Sequence, residues 1–268
     1  MNYPICILTL HHIHPFEDWL SVSPQLLGKA LINIKQKGYN FISYAQFIEI
    51  LQSKKNPLKK QVLLSIDDGY FDVYKYGFPV LKELKIPSVC FLITNTIVEK
   101  RQKEPVFKPH KTIDYTADIE YFLTAEEIFA MREWMAFDSH TASHYNCNTQ
   151  DKETLEFELT TSKNKVAELF PQKDIFGFCY PRGKFNALSQ ETLRECGYSF
   201  AFSTIEGGAC VESCDNFAIK RICISSASAK RGERDYLKRL NTKLFIYSTP
   251  ILGSLKSKLK ARKSRGSF

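Results

Sequence analysis

The sequence predicts an α/β fold built on a parallel sheet. Three observations predict it. Short apolar runs alternate with segments of helical spacing from residue 5 to residue 203. Four of those runs end in polar residues, always at the carboxyl end, where parallel α/β folds carry their sites. The length of 268 residues, 44% hydrophobic and 25% charged, suits one large α/β domain or two small ones.

Ile5–Leu10 reads as a buried strand. Leu26–Lys37 has helical spacing and stops at Gly38; Tyr39–Ile42 reads as a strand and Tyr44–Gln52 as a helix. Val62–Ile66 is a short apolar run that ends in Asp-Asp-Gly, followed by a helix over Val73–Leu84 and a strand over Ser88–Ile93. Residues 98–120, rich in Lys, Pro and charge, read as a long loop. Ala125–Arg132 reads as a helix because Thr124 can cap it with Glu127 three residues on. Trp134–Phe137 is a strand, Asp151–Leu169 a charged amphipathic helix, Ile175–Tyr180 a strand, Ser189–Cys196 a helix and Tyr198–Ser203 a strand. Seven or so such units fit an open doubly wound sheet or a closed barrel, and the pattern alone does not choose.

Composition excludes disorder, collagen-like repeats and membrane bundles, and no apolar run approaches the roughly 20 residues of a membrane span. The net charge of +8 is uneven. Residues 230–268 hold 12 basic and two acidic residues, a balance of +10, against −2 for residues 1–229. The chain therefore divides into a body, 1–229, and a basic tail, 230–268. Such a tail meets anionic lipid or polyanions, or stays solvated. Eight cysteines without a CxxC pair, several in apolar runs, read as buried thiols rather than a disulfide scaffold. The opening MNYPICILTLHHIHP has no basic leader, so the expected location is the cytoplasm.

The decorated strand ends carry the chemistry. The first strand runs into His11 and His12, the 62–66 strand into Asp67 and Asp68, and the 134–137 strand into Asp138, Ser139, His140 and His144. The 175–179 strand runs into Tyr180, Pro181, Arg182 and Gly183. His140 and His144, four apart, share a face on a helical turn and can grip one ion, with a nearby carboxylate to complete a three-ligand catalytic set. Of two adjacent aspartates, one can bind the cation and the other accept a proton from water, while a histidine opposite protonates a leaving group. That is metal-assisted hydrolysis of an amide or ester. Taken singly, Asp-Asp-Gly also suits a turn, and an HxxxH pair also suits two surface histidines.

The sequence resembles the NodB-like polysaccharide deacetylases, carbohydrate esterase family 4. VLLSIDDGYFDVYKYGFPVLKELKIPSVCFLIT (62–94) is similar to the first motif with its following helix and strand, FDSHTASHYN (137–146) to the second, and GFCYPRGKFN (177–186) to the third. GYSFAFSTIEGG (197–208) and IKRICI (219–224) resemble the closing strands. LTLHHI (8–13) resembles the opening of the poly-N-acetylglucosamine deacetylase branch, in which the acid-histidine motif stands at the N-terminus.

The resemblance implies a distorted (β/α) barrel of about seven parallel strands. It implies Asp67 as general base, Asp68, His140 and His144 as ligands of a divalent metal (zinc, with cobalt or nickel as alternatives), and His11 as general acid. The backbone N–H of Arg182, after Pro181, falls where the family binds the oxyanion, and Tyr180, Pro181 and Arg182 are the expected substrate contacts. Two departures stand out. Cys179 occupies the usual arginine position of the third motif, and Arg182 that of a tyrosine. Arg221 is the candidate to supply the missing cation beside Asp67. The implied activity is removal of N-acetyl groups from a 2-acetamido sugar in a glycan, lipid-linked or nucleotide-linked intermediate. The alternatives are another carbon–nitrogen amide substrate, or an inactive relative that binds glycan or polyanion. No specific nucleic acid is expected as partner. Leu244–Leu255, apolar and followed by six basic residues between Lys256 and Arg265, suggests peripheral contact with an anionic membrane.

Overall fold

The computed structural model describes residues 2–16, 18–225 and 232–249. In chain order its strands are β1 (Cys6–Leu10), β2 (His12–Ile13), β3 (Ser21–Val22), β4 (Asn40–Phe41), β5 (Gln61–Ile66), β6 (Ser88–Leu92), β7 (Met135–Ser139), β8 (Gly177–Cys179), β9 (Phe200–Glu206) and β10 (Ile219–Cys223). Seven of them, β1 and β5 to β10, close into an all-parallel barrel. The seam is the pairing of β1 with β5, in register from Cys6–Val62 to Leu10–Ile66. β1 also pairs with β10 through Leu8–Ile222 and Thr9–Cys223. The expected barrel of about seven parallel strands is therefore present. β4 is a two-residue edge on β5, outside the closed ring, and β2 pairs with β3 apart from it.

Alternation along the strands builds two apolar layers. Ile5 and Ile7 of the first strand join Leu63, Val89, Phe91, Phe200, Phe202 and Ile219 in one cluster, to which Tyr44 and Phe47 belong. Cys6, Leu8 and Leu10 join Val62, Leu64, Ile66, Cys90 and Leu92 in a second cluster that lies under the helices. Continuing the inward series places Thr9, Ser65 and Arg221 beyond the apolar layer, where the Thr9 and Ser65 hydroxyl oxygens are 3.1 Å apart. The barrel thus ends in a polar layer, above which the site stands.

The helices are α1 (Pro24–Gln36), α2 (Tyr44–Ser53), α3 (Phe78–Glu83), α4 (Ala125–Met131), α5 (Lys152–Leu169), α6 (Ala187–Glu195) and α7 (Glu233–Tyr247). Their starts are set by side-chain caps: Ser23 for α1, Ser43 with Gln46 for α2, Thr124 with Glu127 for α4, Asp151 for α5 and Asn186 for α6. α1 buries Leu27, Ala30, Leu31 and Ile34, the spacing of one helical face.

One segment differs from the sequence reading. The helix expected over 73–84 is a π turn, Val73–Gly77, followed by the short α3. Pro79 has no N–H to give the preceding turn, and Gly77 lies so close to Ile13 that a Cβ would stand 2.6 Å from its Cδ1. The boundary at 229/230, drawn from charge, lies outside the described residues, but the helix beyond it packs on the barrel. Tyr236, Leu240, Leu244 and Tyr247 of α7 are buried in the outer cluster with Cys6 and the α1 residues. The Tyr236 hydroxyl donates to Ile224 O at 2.8 Å. Leu244, expected to open a membrane-facing stretch, belongs to the core. The basic residues from Lys256 to Arg265 lie outside the described residues. Among the described residues no helix is long and apolar enough to cross a membrane.

Candidate metal centre and active site

β5 delivers the two aspartates to opposite tasks. Asp67 continues the strand, its N–H donating to Leu10 O at 3.0 Å. Asp68 and Gly69 then take left-handed backbone conformations, φ 73° and 75°. The turn is tight against β6: a Cβ on Gly69 would lie 2.8 Å from Leu92 Cδ2, so only glycine fits. This reversal carries the Asp68 carboxylate away from Asp67.

Asp67 faces Arg221, which is 2% exposed. The guanidinium makes a two-pronged contact, Nη1 to Oδ1 at 2.7 Å and Nη2 to Oδ2 at 2.8 Å. Its Nε donates to Ser203 O at 2.9 Å and Nη2 also to Cys179 Sγ at 3.0 Å. A register shift between β9 and β10, where Ile219 pairs with Phe202 but Arg221 with Glu206, lets Arg221 aim at the site. The cation absent from position 179 therefore comes from position 221, touching the sulfur that stands in its place. Burial raises the Asp67 pKa, but the charge and hydrogen bonds of Arg221, with His11 and His140, outweigh it and hold the carboxylate below its ordinary value. Burial raises Cys179, which stays a thiol.

Asp68 faces the histidines. Its Oδ1 lies 3.2 Å from His140 Nε2 and 3.5 Å from His144 Nε2, and it is a buried oxygen without a hydrogen-bond partner. His140 Nδ1 donates to Cys179 O at 2.7 Å, which turns Nε2 to Asp68. The two histidines do not share a helical turn. Residues 140–144 form a loop in which Thr141 and His144 take left-handed conformations, φ 64° and 63°. Thr141 Oγ1 accepts the Tyr145 N–H at 2.9 Å, and Glu158 of α5 accepts both the N–H (2.9 Å) and hydroxyl (2.5 Å) of Ser143. Four of the seven non-glycine residues with positive φ among those described, Asp68, Thr141, His144 and Arg182, stand at this site, so backbone strain is concentrated there.

An unpartnered carboxylate oxygen between two imidazole nitrogens fits a divalent cation in donor number and type. Without one, burial drives His144 down to about 4. Burial also opposes charge on His140, but the Cys179 and Asp68 contacts prevail and raise it.

His11, at the end of β1, points Nε2 at Asp67 Oδ2 across 3.8 Å. Burial lowers its pKa, with Asp68 and Asp67 opposing and Arg221 and His12 assisting. Arg182 (φ 58°) is exposed at the rim beside the buried Pro181, and its charge contributes to the low His144 pKa. Tyr180 is a correction: it is 0% exposed, its hydroxyl donates to Phe217 O at 3.0 Å, and its ring stacks on Phe185. Its side chain supports the third-motif turn from within the core. Asp138 is likewise internal, accepting from Tyr44 Oη (2.9 Å) and Gly177 N (2.7 Å).

Sequence reasoning missed the aromatic and histidine wall beside the ligands. Tyr115 packs its ring 4.4 Å from that of His144, and the Tyr70 hydroxyl lies 3.3 Å from His110 Nδ1. His110 and Tyr115 come from the 98–120 loop, and a histidine inside that charged loop was the available signal.

The polysaccharide deacetylase family profile matches residues 54–201, more than half of the chain. The Bacillus subtilis protein YxkH is 25% identical over 193 residues, 72% of this chain and 61% of that protein. A poly-beta-1,6-N-acetyl-D-glucosamine N-deacetylase from Staphylococcus epidermidis is 24% identical over 214 residues, 77% of this chain and 68% of that protein. The chain thus spans about three-fifths to two-thirds of the length of these relatives. Among solved structures, Streptococcus pyogenes deacetylase PplD in complex with acetate superposes with a TM-score of 0.72 at 22% identity, covering 93% of this chain and 100% of that one. IcaB from Ammonifex degensii gives 0.69 at 20% identity, covering 88% and 97%. Both share the barrel fold. By the match of its family profile, which spans the two aspartates and two histidines just described, the chain belongs to the polysaccharide deacetylase family.

Proposed function

We propose that this chain is a divalent-metal-dependent carbohydrate N-deacetylase that converts a 2-acetamido sugar and water into the free amine and acetate. The observation that carries the reading is a base, an acid and a metal-donor set gathered at one end of the barrel: Asp67 locked on Arg221, His11 at 3.8 Å from it, and Asp68 between His140 and His144. Asp68, His140 and His144 would hold the ion. When bound, it supplies Lewis-acid polarisation of the acetyl carbonyl and a more acidic water.

The chain's own groups do the rest. Asp67, kept ionised by Arg221, accepts a proton from the attacking water. The Arg182 N–H contributes to holding the negative charge that develops on the carbonyl oxygen. His11 protonates the nitrogen as the carbon–nitrogen bond breaks, so the amine leaves neutral and acetate carries the water oxygen. Zinc, cobalt and nickel all suit two imidazoles and a carboxylate. The named substrate of the Staphylococcus epidermidis relative makes acetylated glucosamine oligomers the first to try, with lipid-linked and nucleotide-linked acetamido sugars beside them. We place the enzyme in the cytoplasm, on its eight cysteines without a CxxC pair, with the basic residues 256–265 as the contact to anionic lipid.

The test is acetate release by the zinc-loaded protein and by Asp67→Asn. The variant should keep its metal and lose activity by at least about 10²-fold. Full acetate release by Asp67→Asn would remove Asp67 from the mechanism.

A further inference from the structure

A second group of metal-capable side chains stands apart from the centre above. His12 and His14 lie two residues apart at the short strand β2, the spacing that puts both on one side. Asp72 comes from the turn after β5. One ligand atom from each of the three lies within 4.8 Å of the others. His12 Nδ1 is 2.5 Å from Asp72 Oδ2, and Asp72 Oδ1 accepts the Ile13 N–H at 3.0 Å, which fixes the carboxylate. His14 is 4% exposed, and its Nδ1 is buried without a hydrogen-bond partner. Buried polar atoms are nearly always paired, so this nitrogen asks for an occupant.

The surroundings fit one. All three residues line a cavity of about 200 Å³, walled also by Phe16 and Phe107. His12 Nε2 lies 3.1 Å from His110 Nδ1, the outer hydrogen-bond partner that a metal-bound imidazole ordinarily keeps. Lys75 and Lys108 line the same cavity, but each is paired with a carboxylate outside the triad, Glu104 and Asp118. Two imidazoles and one carboxylate select a first-row transition ion over calcium or magnesium, which prefer all-oxygen sites.

We propose that His12, His14 and Asp72 form a second binding site for a divalent transition ion such as zinc, with cavity water filling its remaining positions. In the ion-free chain a proton bridges His12 and Asp72. Binding displaces it to solvent, and no other bond changes. The ion would clamp the segment after His11 to the turn after Asp68, from behind the catalytic groups. The site depends on none of the roles assigned under the proposed function.

Zinc alone is the probe. Equilibrium dialysis with elemental analysis on the full chain should give two equivalents for wild type, one for His144→Ala, one for His14→Ala and none for the double variant. Two equivalents retained by His14→Ala, or none bound by His144→Ala, overturns the proposal, the latter while leaving the catalytic centre intact. Because His14 is buried, Asp72→Asn serves as a near-isosteric second variant. In the His144→Ala background zinc should raise Tm, and adding Asp72→Asn should abolish that rise. A rise unchanged by Asp72→Asn also overturns it.

Discussion

Replacing Arg221 by methionine removes a buried cation while keeping much of its volume. The guanidinium serves Asp67 twice, Ser203 O once, and contacts Ser65 Oγ at 3.2 Å and Cys179 Sγ at 3.0 Å. Ser65 keeps Leu8 O as a partner at 2.9 Å, so its loss is small. The large cost is Asp67, a buried carboxylate left without its counter-charge, for which breaking a buried pair costs about 3–5 kcal/mol. Asp67 escapes part of that cost by taking up a proton, and a protonated base cannot accept one from water. The expected outcome is destabilisation of about 3 kcal/mol or more in urea unfolding, with deacetylation lowered about 10²- to 10⁴-fold at neutral pH. The acid limb of the pH–rate profile should move upward and activity partly recover in alkali. Arg221→Lys, with one donor point in place of a fork, should fall between. Cys179→Arg combined with Arg221→Met should restore both properties, because position 179 borders the same space. An Arg221→Met protein within about 1 kcal/mol of wild type, with an unmoved pH profile, would refute the reasoning.

Other expectations concern single groups. Tyr180→Phe should cost only about 1 kcal/mol and leave kcat/KM unchanged, because the lost hydrogen bond goes to Phe217 O, which Gln190 Nε2 also approaches at 3.3 Å. In the metal-free chain, His144 is held neutral by burial down to about pH 4, whereas the unfolded chain protonates it near 6.5. Its contribution is full above about pH 6.5 and erodes as pH falls towards 4, by up to about 3 kcal/mol. Comparing wild type with His144→Ala in urea across that window isolates it from His140, whose shift has the opposite sign. Leu244→Ala should cost about 2–5 kcal/mol by thermal or urea unfolding, since Leu244 is wholly buried on the inner face of α7.

Much of this was legible in the sequence because apolar runs in a parallel sheet are buried on both faces and announce themselves. Ile5–Leu10 and Val62–Ile66 are strands as read, and the residues that follow them are the ones that meet. The alternation of Leu63, Ser65 and Asp67 even carries the direction of the base. What was not legible depends on contacts distant in sequence. Two-residue strands such as β2 have too few residues for a period to show. The histidine loop keeps His140 and His144 together through positive φ values and Glu158, which no helical spacing encodes. Tyr180 sits beside a motif turn, but which way its ring points is decided by Phe185 and Phe217. Charge placed α7 in a tail, whereas its buried face, with Leu240 and Leu244 at i and i+4, is set by packing on α1 and β1. Arg221 was reachable only by asking what could replace a missing cation.

The seam between β1 and β5 has a consequence for how activity arises during synthesis. The first barrel strand, β1, pairs with the last, β10, as well as with β5. His11 is held by one, Asp67 by the other, and Arg221 arrives only with β10. A nascent chain that stops before residue 219 therefore has Asp67, Asp68, His140 and His144 yet no guanidinium to keep Asp67 ionised. Long-range closure of this kind is slow, and it makes competence a property of the finished ring. The growing chain can carry its histidines and aspartates without hydrolysing anything until β1 and β10 have met.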